Sequence, residues 1–398
     1  MIATLTRIFG FEQIDLIEDA VQEAFVQALR VWPYAGAPGN PSAWLTQVAK
    51  NRALDSLRRS ATWREKEDAI RQALTGLQEQ ATPPGSGALP GELADDQLTM
   101  VFACCHPLLS RDAQVALTLK TVGGFSVAEL ARAFVAQRSA MAQRLLRAKQ
   151  RLRDSGVRLE IPAAGSLAPR LDAALEVVYL MFNEGYGPLE GDLTVRPELC
   201  DEALRLAELV CAHPATDRPR SHALAALLNF QASRIALRAG APELVLLEDQ
   251  DRSLWDRARI ARGVRHLERA GRGERLSAYH LEAEIAGCHA VAETWSRTDW
   301  ARIVGCYDSL LRLNPSPIVA VNRAVALAEL EGPQVGLASL EELSRHPELR
   351  SYYPFHAARA ELHRRLGQTA DASAAYRQVL ALTGSEPVRR FCERRLQD

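Results

Sequence analysis

DLIEDAVQEAFVQALRVWP, residues 15–33, decides how this chain is read. At about 100° per residue, Asp15, Glu18, Asp19, Gln22 and Glu23 fall within one arc of roughly 140°. Ile17, Ala20, Val21, Ala24 and Phe25 take the other side. This spacing predicts an amphipathic helix with an acidic exposed face. Such a face is either merely solvated or a docking surface for a basic partner.

The next stretch, NPSAWLTQVAKNRALDSLRR at residues 40–59, reads as a second helix. Ser42 is expected to cap its start. Leu45, Val48, Ala49 and Ala53 form the side to be buried. Trp44, Gln47, Asn51, Asp55 and Arg58 share another side within roughly 80°, with Arg52 and Arg59 beside them. An aromatic ring can stack on bases, amides can read base edges, and arginines can neutralise phosphate. The pattern also suits an ordinary solvated face.

Composition places these helices in a globular protein. The chain has 398 residues, 47% hydrophobic and 24% charged, which excludes a disordered or collagen-like chain. The longest apolar runs, Val177–Phe182 and Ala223–Leu228, are far shorter than the roughly 20 residues that span a bilayer. No secretory signal is readable at the start, and the seven cysteines are scattered. That usage suits reduced thiols in a cytoplasm. Lys and Arg number 48 against 49 Asp and Glu, yet the balance is uneven along the chain. Residues 61–100 hold three basic and seven acidic side chains, whereas residues 138–158 hold seven basic (Arg138, Arg144, Arg147, Lys149, Arg151, Arg153, Arg158) against Asp154.

The basic run closes the segment GGFSVAELARAFVAQRSAMAQRLLRAKQRLR, residues 123–153. Ser126 and Glu129 form an S-x-x-E capping box that opens a short helix with Val127, Leu130, Ala131 and Phe134 on its core side. After a break at 135–137, a second helix from about Ser139 carries the buried seam Met141, Leu145, Ala148 and Leu152. Gln143, Arg144, Arg147 and Arg151 lie off that seam. A short helix, a tight turn and a basic helix suit a helix-turn-helix, whose second helix enters the major groove. The alternative is a solvated helical hairpin.

Residues 15–33 followed by 40–59 resemble region 2 of bacterial sigma factors, and 112–153 resembles their region 4. The two are separated by an acidic segment and the Pro/Gly-rich stretch ATPPGSGALPG at 81–91, similar to the extracytoplasmic-function (sigma-70-like) group. CCHP at 104–107, MFNEGYGP at 181–188 and the long helical tail resemble the subgroup with a TPR-like C-terminal extension. The fold so implied is all-α, with sigma region 2 over 1–80, a linker at 81–95, region 4 over 96–160 and a TPR-like helical-repeat domain over 170–398. The resemblance assigns Asp15, Glu18, Asp19, Gln22 and Glu23 to core RNA polymerase, on its β′ clamp. It assigns Trp44, Gln47, Asn51, Arg52, Asp55 and Arg58 to the melted −10 element, and Ser139, Gln143, Arg144 and Arg147 to the double-stranded −35 element. The linker corresponds to a connector that passes near the polymerase active centre, with the β subunit. Family members usually carry further residues before the equivalent of Met1, completing a first helix. The implied protein is not itself an enzyme, acts in the cytoplasm and needs no membrane.

In the C-terminal half, Ile303, Tyr307, Leu310 and Pro315 fit the second helix of a TPR unit. Counting on by a period of about 34 residues reaches Gly332 and then Gly367, followed by Ala372 and Tyr376 in register. Such solenoids bind proteins or peptides on concave surfaces. Cys104–Cys105–His106 and Cys288–His289 are candidate metal ligands, but neither has a second pair at zinc-site spacing, so no metal and no cofactor are expected. NEGYG at 183–187 and DQDRSLWD at 249–256 are expected to join helices rather than to catalyse. Two other functions fit the residues: a TPR-type interaction scaffold, and a stand-alone helix-turn-helix regulator that never meets the polymerase. A sigma factor needs the acidic helix, and a simple regulator does not.

Overall fold

The computed structural model describes residues 1–59, 90–134, 136–157, 159–162, 164–187, 190–191, 195–240, 245–273 and 275–397. The fold is all-α. Its helices fall into two compact units, Met1–Val177 and Val178–Asp398. No helix among the described residues is long and apolar enough to cross a membrane.

In the first unit, α1 (Ile2–Phe9), α2 (Ile14–Ala35) and α3 (Pro41–Arg59) close over one apolar cluster. Leu5 and Phe9 of α1 meet Ile17, Val21 and Ala24 of α2 and Leu45, Ala49 and Ala53 of α3. The buried faces of α2 and α3 largely follow the expected periodicity, with two exceptions on α2. Phe25, expected inside, is 49% exposed, and Glu18, expected outside, is buried. The cap of α3 is Asn40 rather than Ser42. Its side-chain oxygen accepts the Ala43 N–H at 3.0 Å, and Pro41 takes the first helical position, where a missing N–H is harmless.

Four more helices complete this part: α4 (Pro90–Cys104), α5 (Arg111–Thr121), α6 (Val127–Ala133) and α7 (Arg138–Asp154). Because α4 begins at Pro90, residues 90–95 of the expected linker are helical. Its remainder, 81–89, lies outside the described residues, as do Val135 and Arg158. The capping box forms as read from sequence. Ser126 N–H donates to Glu129 Oε2 at 2.7 Å, and Glu129 N–H donates to Ser126 Oγ at 3.2 Å. The seam Met141, Leu145, Ala148 and Leu152 is buried, and Lys149 is buried with it.

The Pro and Gly of IPAAGSLAP, residues 161–169, predict a second, shorter break in the chain, yet α8 (Ala164–Tyr186) starts inside that stretch. Pro169 lies in its second turn and forfeits a single backbone hydrogen bond near the helix start. Arg170, one residue on, donates to the Phe102 carbonyl.

The second unit continues from the end of α8 through α9 (Pro197–Ala212), α10 (Pro219–Ala232), α11 (Ile235–Gly240) and α12 (Arg257–Ala270). α10 is buried along almost its whole length, from Ser221 to Phe230, against α9, α12 and the next helix, α13 (Ala278–Val291). That explains its lack of a polar face. From α13 onward each helix packs on the one after it: α14 (Trp300–Leu313), α15 (Pro317–Glu331), α16 (Pro333–Leu343), α17 (Tyr353–Arg365), α18 (Thr369–Leu382) and α19 (Glu386–Arg395). Gly332 and Gly367 stand between helices with φ of 107° and 72°, a backbone region that favours glycine. One short exception to helix exists among the described residues, a parallel pairing of Glu190–Gly191 with Gly384–Ser385.

Helices α15 and α16 approach closely because Gly336 has no side chain. A Cβ there would overlap the Ala328 methyl and lie 2.8 Å from the Ala324 carbonyl oxygen. Gly336→Ala is therefore expected to destabilise the second unit by about 1–3 kcal/mol through overpacking. Denaturant unfolding of the variant checks this, and an unchanged midpoint would refute the tight packing.

Candidate functional site

The residues singled out from sequence lie on three helices of the first unit, α2, α3 and α7. On α2, Asp19, Gln22 and Glu23 are exposed, and beside them stand Phe25, Val26 and Leu29, with Leu29 76% exposed. The outward side of α2 is thus mixed, acidic over its first half and apolar beyond. A contiguous apolar strip rimmed by charge is the usual appearance of a protein-binding surface.

On α3, Gln47, Asn51, Arg52, Asp55 and Arg58 are exposed along one side. Gln47 donates to Asn51 Oδ1 at 3.0 Å, Arg58 lies 3.8 Å from Asp55, and Arg52 lies 3.7 Å from Glu23 on α2. Trp44 does not stand free with them. It is half-buried, packed on the cluster beneath and tilted against Trp32 with ring centroids 5.5 Å apart.

On α7, Ser139, Gln143 and Arg147 are exposed. Arg144 is half-buried, with its guanidinium 3.8 Å from the Asp112 carboxylate on α5. Arg147 turns back to the Gln143 carbonyl at 3.4 Å.

Asp15 and Glu18 behave differently from the rest of the acidic face. Lys149 Nζ of α7 lies 2.9 Å from Asp15 Oδ1 and 2.9 Å from Glu18 Oε2, and Arg153 lies 2.7 Å from Asp15 Oδ2. The Lys149 side chain is only 8% exposed and that of Glu18 10%. Burial alone would raise the Asp15 pKa, but hydrogen bonds and charge from Lys149 and Arg153 outweigh it and hold the group below its ordinary value. Burial would lower the Lys149 pKa, but Glu18 and Asp15 outweigh that and raise it. The outcome is an ionic latch between α2 and α7. Lys149 belongs to the basic run of residues 138–158. Its position, four residues after Leu145 and three before Leu152, already put it on the buried side of the helix.

The remaining candidates are held within the packing. Cys104 Sγ lies 3.1 Å from Thr121 Oγ1, and burial pushes the Cys104 and Cys105 thiols up to about 12. Burial, then Arg234 and Arg252, push His289 down to about 3, and its ring stacks on Trp295. Asn183–Tyr186 form the last turn of α8 rather than a loop, with Glu184 paired to Arg196 at 2.6 Å. In the 249–256 stretch, Arg252 donates to the His289 and Ala292 carbonyls, each at 2.9 Å, and Asp256 caps α12. A cavity of about 370 Å³ in the second unit is lined by Glu248, Glu329, Glu361, Arg365, Tyr353 and Tyr376 among others. Of these, Glu329 pairs with Arg365, and Glu361 pairs with Arg364.

With this geometry in hand, comparison with known proteins assigns a class to the N-terminal helices. The Sigma-70 region 2 family matches residues 7–64, the stretch that holds α2, α3 and the end of α1. A second match, to a family of unknown function (DUF6596), covers residues 170–271. The N-terminal part of the chain is thus similar to sigma-70 region 2. Over nearly its full length the chain is 40% identical to the uncharacterized protein R00370 of Rhizobium meliloti (strain 1021), across 374 residues that make up 94% of this chain and 87% of that protein. The chain belongs to the same family as that protein. No solved structure matches.

Two expectations follow from the latch. Lys149→Ala leaves Glu18 buried without its counter-charge and is expected to cost roughly 3 kcal/mol or more, whereas Glu18→Leu combined with Lys149→Met should recover most of it. Urea unfolding of the two variants tests this, and equal loss in both would refute the latch. The second concerns pH. The Asp15 contribution is fully present above the unfolded carboxylate pKa of about 4 and is lost as pH falls through its lower folded value; the Lys149 contribution is present below about 10.4 and is lost as pH rises through its higher folded value. The α2–α7 contact is therefore expected to hold unchanged across neutral pH and to loosen at acid pH, which amide exchange along α7 can follow.

Proposed function

We propose that the chain is a sigma factor. It binds core RNA polymerase, recognises and melts promoter DNA and starts transcription, while its C-terminal helical unit regulates this or binds a protein or peptide partner. The observation that carries the reading is the Sigma-70 region 2 match over 7–64, because it falls on the helices that carry both the acidic face and the polar stripe. Asp19, Gln22 and Glu23, with Phe25, Val26 and Leu29, suit docking on the β′ clamp. Apolar burial supplies affinity there, and the carboxylates select a basic counterpart and its orientation. Asp15 and Glu18 join that surface only when Lys149 and Arg153 release them.

For the −10 element, Gln47, Asn51, Arg52, Asp55 and Arg58 offer hydrogen bonds and charge. Trp44, braced against Trp32, offers a rigid ring edge for an unpaired base. Melting then works by trapping: a base that leaves the stack is held, and its binding energy offsets the cost of unpairing. For the −35 element, α6 and α7 with the turn between them suit a helix-turn-helix, in which Ser139, Gln143, Arg144 and Arg147 face the major groove. The C-terminal helix pairs, with glycines at Gly332 and Gly367, suit TPR-like units.

Reconstituted transcription with core polymerase on a promoter library tests the reading. A chain that neither joins core enzyme nor supports a specific start is not a sigma factor. Reversing charge at Asp19 and Glu23 together is expected to abolish core binding while leaving duplex binding intact; a stand-alone regulator would be unaffected in both. Arg147→Ala is expected to weaken −35 binding by roughly 1–3 kcal/mol if the guanidinium holds a guanine edge, whereas equal loss on all sequences marks a phosphate contact. Ending the chain after Tyr186, which keeps α8 whole, tests the C-terminal unit, since full activity of that form would make it dispensable for initiation.

A further inference from the structure

Three buried side chains meet where α9, α10 and α12 pack together. Cys211 Sγ and one ring nitrogen each of His222 and His266 lie within 4.8 Å of one another, and all three residues are buried. Helix α9 supplies Cys211 in its last turn, α10 supplies His222 in its first, and α12 supplies His266. The helices come this close because Gly263, one turn before His266, lies against the Phe230 ring; a Cβ there would lie 2.6 Å from Phe230 Cε1.

The hydrogen bonds around the pair constrain its chemistry. His222 Nε2 lies 2.7 Å from Asp217 Oδ1, and His266 Nε2 lies 3.1 Å from Glu208 Oε1 and 3.2 Å from Oε2. A carboxylate only accepts, so each Nε2 carries the proton and each neutral ring is left with a bare lone pair on Nδ1. Yet the two Nδ1 atoms are 2.8 Å apart. Two lone pairs do not sit at that distance unless an electrophile lies between them, either a shared proton or a metal cation. A shared proton makes the pair cationic, which burial disfavours, and it gives no role to the thiol beside the rings. A metal cation uses all three atoms.

We propose that Cys211, His222 and His266 form a binding site for a divalent transition metal of the zinc type, with Glu208 and Asp217 as the outer carboxylates that orient the two rings. One thiolate and two imidazoles are donors suited to zinc. An imidazole that ligates through one nitrogen and donates to a carboxylate through the other is the usual arrangement at such sites. At bond lengths of about 2.0–2.1 Å to nitrogen and 2.3 Å to sulfur, the three donors need to stand roughly 3.3–3.7 Å apart. The rings therefore part slightly and the thiol closes in. The Cys211 proton leaves as the cation binds, and the fourth position is filled by water or by an added ligand. The Asp217 and Glu208 side chains are 55% and 44% exposed and mark a route of entry. Occupancy ties three helices together, so it rigidifies the second unit.

The test uses the full chain with Co²⁺ and Zn²⁺ as probes. One equivalent of Co²⁺ is expected to give the strong ligand-field absorption of a tetrahedral ion with a thiolate charge-transfer band, and Zn²⁺ should displace it. Cys211→Ser should remove the charge-transfer band, Cys306→Ser should leave it, and Glu208→Gln should weaken binding tenfold or more. Zinc-edge absorption of the unmutated protein, grown with zinc, should report one sulfur and two imidazole nitrogens, which keeps the proposal testable if a variant misfolds. Protein that carries no metal and gives no cobalt spectrum, or a charge-transfer band that survives Cys211→Ser, would overturn it and leave a hydrogen-bonded histidine pair.

Discussion

A carboxylate cannot be buried alone, and Glu18 of α2 is buried. The contact of α7 with α2 is tied to that constraint. An isolated carboxylate in a low-dielectric setting costs several kcal/mol, and among the described residues the ammonium of Lys149, itself almost inaccessible to water, offsets it. Arg153 adds a second bond to Asp15, on the wetter side. The pair is a weak source of net stability but a strong source of register, because no other residue on α7 places a cation at that depth. It also divides the acidic face of α2. Two carboxylates are engaged within the chain, while Asp19, Gln22 and Glu23 remain at the surface.

Much of the fold was legible from spacing alone. The seam of α7, the buried sides of α2 and α3, and the Ser126–Glu129 box follow from local periodicity and capping chemistry, which act within a few residues. The errors came where distant residues decide. Phe25 falls on the apolar half of the wheel, but the cluster over α1 and α3 ends at Ala24 and Ala28 and leaves it outside. Proline read as a breaker at Pro90 and Pro169, whereas at a helix start it loses little. Ser42 read as a cap because Pro41 looked like the last residue outside the helix; Pro41 is its first residue, and Asn40 does the capping.

The candidate sites divide in the same way. Exposed polar stripes are legible because they follow from the same period as the core, so most of the residues on α3 and α7 lie where spacing puts them. Buried polar clusters are not. Glu208, Cys211, His222 and His266 are dispersed over three helices, with Asp217 in the turn before α10, and only the packing of α10 against α9 and α12 brings them together. Zinc ligands usually come as two close pairs in sequence, a spacing this set lacks, whereas the adjacent cysteines and histidines serve the core.

All seven cysteines are free and buried, spread from Cys104 in α4 to Cys392 in α19. Native chain therefore shows almost no sulfur to its surroundings. Oxidants and alkylating reagents act on exposed thiolates, and these thiols are shielded by burial. Chemical damage at sulfur has to wait for a local opening, so the rate at which each thiol reacts is a clock for the helix that covers it. Cys104 and Cys105 would time the first unit, and Cys306 and Cys392 would time the second. The chain carries its own reporters of where it loosens first.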